Sequence, residues 1–167
     1  MSHKNYITLV GNLAGDPHFE LLDGKTPYLR FDVVVVRSTG QLSRADRNKP
    51  PGQRGRDVIR VVEYGERAGV DYYYLREGAE VSVVGWLETR NFKDPKTHTW
   101  RRVQEVNAKS VTFGRGADFE RGERYRLQKI EEAQEQGRAN LEALGLTPVD
   151  TLPDDDVERD SGEAAGT

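Results

Sequence analysis

The chain has 167 residues, with 25 Lys+Arg against 28 Asp+Glu and no cysteine. That length allows one core of normal size plus an appendage, and the missing cysteine excludes disulfides, thiolate metal sites and a cysteine nucleophile while fitting a reducing cytoplasm. No apolar leader and no run of 18 apolar residues is present, so neither a secretory peptide nor a membrane span is expected.

Charge is unevenly divided. Through Arg115 there are 19 Lys+Arg against 14 Asp+Glu, a surplus of +5; from Gly116 there are 6 against 14, or −8. A basic body attracts polyanions, while an acidic tail repels them or binds something basic.

The first strand is expected at Tyr6–Leu13, with Gly11 marking a bend. Gly15-Asp16-Pro17 and Asp23-Gly24-Lys25 are turn signals, and Glu20–Leu22 extends between them. Tyr28–Arg37 is rich in β-formers and places Leu29, Phe31, Val33 and Val35 on one face. Ser38 to Arg56 has Gly, Pro and Ser, five cations (Arg44, Arg47, Lys49, Arg54, Arg56) and the single acid Asp46. It shows no apolar periodicity and reads as a long flexible loop suited to contacting phosphates, with Arg37 at its entrance. Asp57–Tyr64 is the next strand, with Val58, Arg60, Val62 and Tyr64 on one face. Glu66–Arg76 is a short helix stopping at Gly78, its tyrosines read as packing residues.

Val81 to Phe113 reads as one long hairpin. Period-two alternation puts Val81, Val83, Gly85, Leu87 and Thr89 on an aliphatic, core-facing side and Trp86, Arg90 and Phe92 on the other. Two aromatics beside a guanidinium suit a base-stacking platform with a phosphate clamp. The competing reading is a strand whose outer aromatics bury against protein. The return arm, starting Trp100-Arg101-Arg102, repeats this chemistry across the hairpin.

Five strands in the order β-β-β-α-β-β, with Gly11, Gly65 and Gly85 at bends, predict an all-β OB-fold barrel with one short helix between strands 3 and 4. Residues 1–115 form that domain. Residues 116–146 are expected as a frayed, partly helical appendage with Leu127, Ile130, Leu141 and Leu144 at helical spacing, weakened by Gly122 and Gly137 at about 1 kcal/mol each. Residues 147–167 are an acidic tail expected to be disordered.

Enzyme motifs are missing: no HExxH pair, phosphate loop or GxSxG elbow appears, and no metal or cofactor is expected. The expected nucleic-acid contacts are Tyr64, Trp86, Phe92 and Trp100 as stacking residues and Arg37, Arg60, Arg90, Arg101 and Arg102, with the loop cations, as phosphate contacts. Nothing in the residues tells DNA from RNA.

The segments Val10-Gly-Asn-Leu-Ala-Gly-Asp-Pro17, Ile59-Arg-Val-Val-Glu-Tyr-Gly65, Tyr74-Leu-Arg-Glu-Gly78 and Val84-Gly-Trp-Leu-Glu-Thr-Arg-Asn-Phe92 resemble the bacterial single-stranded DNA-binding protein family. Their order and spacing hold from about Lys4 to Gly114. The resemblance implies a homotetramer (a dimer being the alternative) of OB barrels that wraps single-stranded DNA without sequence preference, protecting it in replication, repair or recombination in the cytoplasm at the nucleoid. It puts Phe92 and Tyr64 at stacking positions, Trp100 at a hairpin aromatic, and Arg60 and Arg90 at backbone-contacting arginines. This chain departs from the pattern in having Thr39 and Val58 at two further stacking positions, Trp86 at a usually polar one, and Ile59 in place of a histidine at subunit contacts. The family's acidic tail closes in Pro-Phe and recruits replication and repair proteins; here Leu152-Pro-Asp-Asp-Asp-Val157 is internal and only echoes it. A second reading is therefore a diverged adaptor of plasmid, phage or conjugation systems, acting through protein contacts of its C-terminal region. A third is a metal-dependent OB-fold nuclease.

Overall fold

The computed structural model describes residues 4–145. Among the described residues are six strands: β1 (Ile7–Leu13), β2 (His18–Leu22), β3 (Thr26–Val36), β4 (Arg56–Tyr64), β5 (Glu80–Lys93) and β6 (Trp100–Phe113). Three α-helices accompany them: α1 (Arg44–Arg47), α2 (Glu66–Tyr74) and α3 (Phe119–Ala143). The strand order is β1-β5-β6-β4-β3-β2, and β1 also pairs with β3. Five strands, β1, β5, β6, β4 and β3, thus close on themselves, and β2 adds a sixth at the margin of β3. The closed set of five is the expected one. The sixth strand is a correction: His18–Leu22 pairs residue for residue with Arg30–Thr26 instead of merely extending between turns. All neighbours are antiparallel except β4 and β6.

Closure depends on two glycines. At the end of β1 the chain leaves β5 to meet β3, with Asn12 opposite Val34 and Leu13 opposite Val33. A Cβ on Gly11 would strike the Val34 carbonyl, so the crossing tolerates no side chain. Gly85 lies where the β5–β6 register slips by one residue, and a Cβ there would strike the Asn107 carbonyl. The extra residue is Lys109, between Ser110 (opposite Val84) and Ala108 (opposite Gly85).

The enclosed core is built from alternate residues of each strand: Leu9 and Leu13, Leu29, Phe31 and Val33, Val61, Val81 and Val83, Val106 and Val111. Each such side chain contributes about 1.5–3 kcal/mol by leaving water. The aliphatic face of β5 holds to Gly85 as expected. Beyond it Leu87 is 40% exposed, because the hairpin runs on past the core.

Helix α2 closes one end. Ala68 and Leu75 are buried in the core and Tyr72 packs against it. The three consecutive tyrosines diverge to three partners. Tyr72 stacks on Phe19 at 5.2 Å, Tyr73 on Tyr125 at 3.8 Å and Tyr74 on Phe113 at 4.6 Å. The packing role expected for them holds.

The segment from Ser38 to Arg56 is a second correction. It is folded, with two 3-10 turns and helix α1. Ser43 caps α1: its Oγ accepts from the Asp46 amide at 3.1 Å, and the Ser43 amide donates to Asp46 Oδ2 at 3.2 Å. A third correction concerns the appendage, which is a continuous 25-residue helix rather than a frayed one. Gly122 has a packing reason to be glycine: its bare Cα faces the Tyr74 ring, where a Cβ would collide. Phe119 meets the edge of that ring and Tyr74 donates to Glu123 Oε1 at 2.7 Å. The compact body runs through Gln128, and residues from Lys129 form a second unit. Leu127, Ile130, Leu141 and Leu144 are exposed. The acidic stretch from Thr147 lies outside the described residues.

Candidate nucleic-acid interface

The strand register assembles one continuous sheet face. On β5 it carries Trp86, Glu88, Arg90 and Phe92, opposite Asn107, Glu105, Val103 and Arg101 of β6. The parallel pairing of Val62 with Asn107 carries the face to β4, where Arg60 and Tyr64 flank Val62. Tyr28, Arg30 and Asp32 of β3 lie opposite those three. The row of Trp86, Arg90 and Phe92 expected from alternation therefore exists, and Tyr64 and Arg60 share its face.

The aromatic groups differ in their surroundings. Tyr28 and Tyr64 pack at 5.1 Å with tilted rings; Tyr28 is buried, while Tyr64 is 41% exposed. Burial pushes both phenols above their ordinary range, aided by the Glu105 carboxylate, so both keep their protons at neutral pH. Trp86 is half-buried, with its indole N–H tied to Glu88. Phe92 is half-buried near the hairpin tip.

Arg60 and Arg90 each have a carboxylate beside them. Arg60 Nε donates to Asp32 Oδ1 at 3.1 Å, and this bond is the main cause raising the guanidinium's affinity for its proton. Arg90 Nε lies 3.4 Å from Glu105 Oε1. Glu105 is fully buried and its second oxygen has no hydrogen-bond partner. A shallow cavity of about 270 Å³ opens beside Arg60, bounded by Asp16, His18, Arg30 and Asp32. Sequence reasoning passes over Tyr28, Asp32, Glu88, Glu105 and Asn107. Glu88 is detectable, being two residues from Trp86 on the same parity; Glu105 carries no comparable local signal.

The hairpin tip divides the other expected residues. Phe92 lies opposite Arg101, but Asn91 opposite Arg102 and Lys93 opposite Trp100 belong to the reverse side. Trp100, 74% exposed, is thus not part of the Trp86 row. It borders a separate cleft of about 490 Å³ with Asn91, Arg101 and Arg102. Arg101 is paired with Asp94 at 2.9 Å.

At the 38–56 segment two of the expected phosphate contacts hold the fold. Arg37 donates to Asp46 Oδ2 and Asp57 Oδ1, each at 2.9 Å. Lys49 donates to Asp46 Oδ1 at 3.1 Å. Asp46 is 2% exposed, and the Ser43 hydroxyl, Lys49 and Arg37 hold its carboxyl well below the usual range. Arg54 donates to the Lys49 carbonyl at 2.7 Å and, with Arg44, Arg47 and Arg56, is exposed.

The sheet face thus offers ring surfaces, arginines and flanking cations along a path, the form of surface that suits an extended strand. The profile of the Single-strand binding protein family matches residues 4–114. The chain is 32% identical over 113 residues to a Single-stranded DNA-binding protein of Thermotoga maritima, covering 68% of this chain and 75% of that one. It is 27% identical over 111 residues to Single-stranded DNA-binding protein 1 of Xylella fastidiosa, covering 66% and 77%. With strand order, closure and the aromatic–arginine face all falling inside the matched span, the chain belongs to the single-strand binding protein family.

Proposed function

We propose that this chain is a non-enzymatic protein that binds single-stranded DNA without sequence preference, through an OB-fold domain of residues 1–115. The observation that carries this reading is the row Trp86–Arg90–Phe92, continued across β6 by Tyr64 and Arg60 on one face. Successive bases stack on the rings at about 1–3 kcal/mol each, and the arginines meet phosphates between them. Arg44, Arg47, Arg54 and Arg56 extend the positive path, while Trp100 and Arg102 receive strand wrapping to the reverse side of the hairpin. The role is to protect and organise exposed strands during replication, repair or recombination in the cytoplasm. Assembly to a homotetramer is supported by the exposed Tyr6 and Val10, which await burial on the β1 side, away from the Arg60–Tyr64 face.

One observation favours the adaptor reading: Asp32, Glu88 and Glu105 stand on the same face and hold its donors. Titrating labelled oligo-dT at two salt concentrations, with and without magnesium, tests both. Tight binding that weakens with salt supports strand binding. Affinity no better than millimolar at low salt overturns it in favour of the adaptor, and cleavage with magnesium overturns both.

A further inference from the structure

Helix α3 and its last turn carry four exposed apolar side chains, Leu127, Ile130, Leu141 and Leu144, at 60, 43, 38 and 74% exposure. The Leu144 amide still bonds the Asn140 carbonyl at 3.2 Å, so the helical spacing extends that far. Written as heptads, Leu127, Gln134 and Leu141 occupy the a positions and Ile130, Gly137 and Leu144 the d positions. Charged and amide side chains fill most of the remaining surface, so the stripe is a narrow seam of the width that suits one partner helix.

The seam is its own complement when two copies run antiparallel. Leu127 then meets Leu144, Ile130 meets Leu141, and Gln134 meets Gly137. The central defect is relieved, because the gap left by Gly137 accepts the Gln134 side chain. A parallel pair would set Gly137 against Gly137, leaving a hole, and Gln134 against Gln134. The flanks agree in charge. Glu131 and Arg138 both fall at e, and the antiparallel register brings Glu131 of each copy opposite Arg138 of the other.

We propose that α3 pairs antiparallel with α3 of a second copy of this chain through Leu127, Ile130, Leu141 and Leu144. Four apolar side chains per copy are fewer than a stable free-standing interface needs. The contact therefore fills when copies are already held together, as on one nucleic-acid strand, where tethering supplies about millimolar effective concentration. That last step rests on the strand-binding reading; the helix pair does not.

The chain has no cysteine, so introduced ones report unambiguously. Full-length Leu127→Cys and Leu144→Cys proteins, tagged differently, are oxidised mildly at high concentration, alone and mixed. The mixture is expected to give the mixed disulfide dimer, about fivefold or more above either protein alone. In the antiparallel register two copies of position 127 lie about 25 Å apart, at 1.5 Å per residue, too far for a disulfide. Efficient self-linking of Leu127→Cys overturns the register. A mixed yield no higher than in the Ile130→Asp, Leu141→Asp background overturns the pair. Long oligo-dT should then raise mixed linking at low protein concentration. Linking that DNA fails to raise, with oligo-dT bound, supports the pair and overturns its role on the strand. If oligo-dT is not bound at all, the strand-binding reading has failed and the DNA-free linking still decides the pair.

Discussion

Trp86 donates its indole N–H to Glu88 Oε1 at 2.5 Å, and the Asn107 amide donates to the same oxygen at 3.2 Å. The two β5 residues share a face because they are two apart, and Asn107 lies directly across from Trp86. The ring is thereby held in the free protein, and if a base stacks on it, as proposed, the ordering cost of stacking is lowered.

Trp86→Ala and Phe92→Ala are each expected to weaken oligo-dT binding by about 1–3 kcal/mol with the fold intact. Glu88→Ala should cost less than Trp86→Ala, and in the double variant it should add little, since it acts through the ring. Equilibrium titration with circular dichroism on each variant checks this. Unchanged affinity in both aromatic variants would mean that protein covers this face.

Replacing Arg44, Arg47, Arg54 and Arg56 with Gln should flatten the log–log salt dependence by about 0.7 for each phosphate that is no longer neutralised. Arg37→Gln and Asp46→Asn should act differently, by unfastening the segment that Arg37, Lys49 and Ser43 hold to Asp46. Faster tryptic cleavage within residues 38–56 is the expected readout. An unchanged digestion pattern in both would show that the Asp46 cluster does not hold the segment.

Truncation after Gly114 should lower the melting temperature of the body, because it strips Phe119, Gly122 and Tyr125 from Tyr73 and Tyr74. Truncation after Gln128 should leave it nearly unchanged, since the compact body ends there. Tyr74→Ala, which removes a buried ring stacked on Phe113, should cost about 3 kcal/mol. Thermal melts of the three proteins decide the matter; equal melting of both truncations would sink the docking argument.

Glu63 on β4 and Asp71 on α2 are both buried, and neither Glu63 oxygen receives a hydrogen bond from elsewhere in the protein. Burial pushes both carboxyls up, Glu63 further because the Asp71 charge adds to it, while Arg67 pulls both back. The folded chain therefore keeps protons that the unfolded chain releases above the ordinary value of 4.5. Stability from this pair is greatest at acid pH and falls as pH rises toward and through neutrality. The melting temperature should drop between about pH 5 and pH 8.5, and Glu63→Gln should flatten the decline. A decline of equal size in Glu63→Gln would remove the pair as its cause.

The parts of the fold governed by short-range pattern are legible in the sequence. Alternation in Val81–Phe92 yields both faces of β5, and Gly11 and Gly85 announce the places where backbones touch. Tyr64, Arg60, Trp86, Arg90 and Phe92 fall together because parity survives a regular ladder. What escapes depends on contacts distant in sequence. Strand β2 is defined by pairing with β3, and its own HFELL is too short for alternation alone to establish a paired strand. Asp46 looks like a lone acid among cations, yet its low exposure and its hold on Arg37 turn a polar segment into a folded one. The side of the hairpin on which Trp100 falls is not legible in the sequence, because the register across the tip depends on the loop between the arms, where His98 has φ 53°.

The chain has two tryptophans, and the hairpin puts them on opposite sides. Trp86 is half-buried and tethered; Trp100 stands in solvent. Their emission should therefore separate, bluer for Trp86 and redder for Trp100, and each side of the ribbon carries its own built-in reporter. Trp100→Phe leaves Trp86 as a probe of its own face and Trp86→Phe leaves Trp100 as a probe of the reverse side. If a strand occupies both sides, as proposed, the order in which it does so becomes measurable in the unlabelled protein.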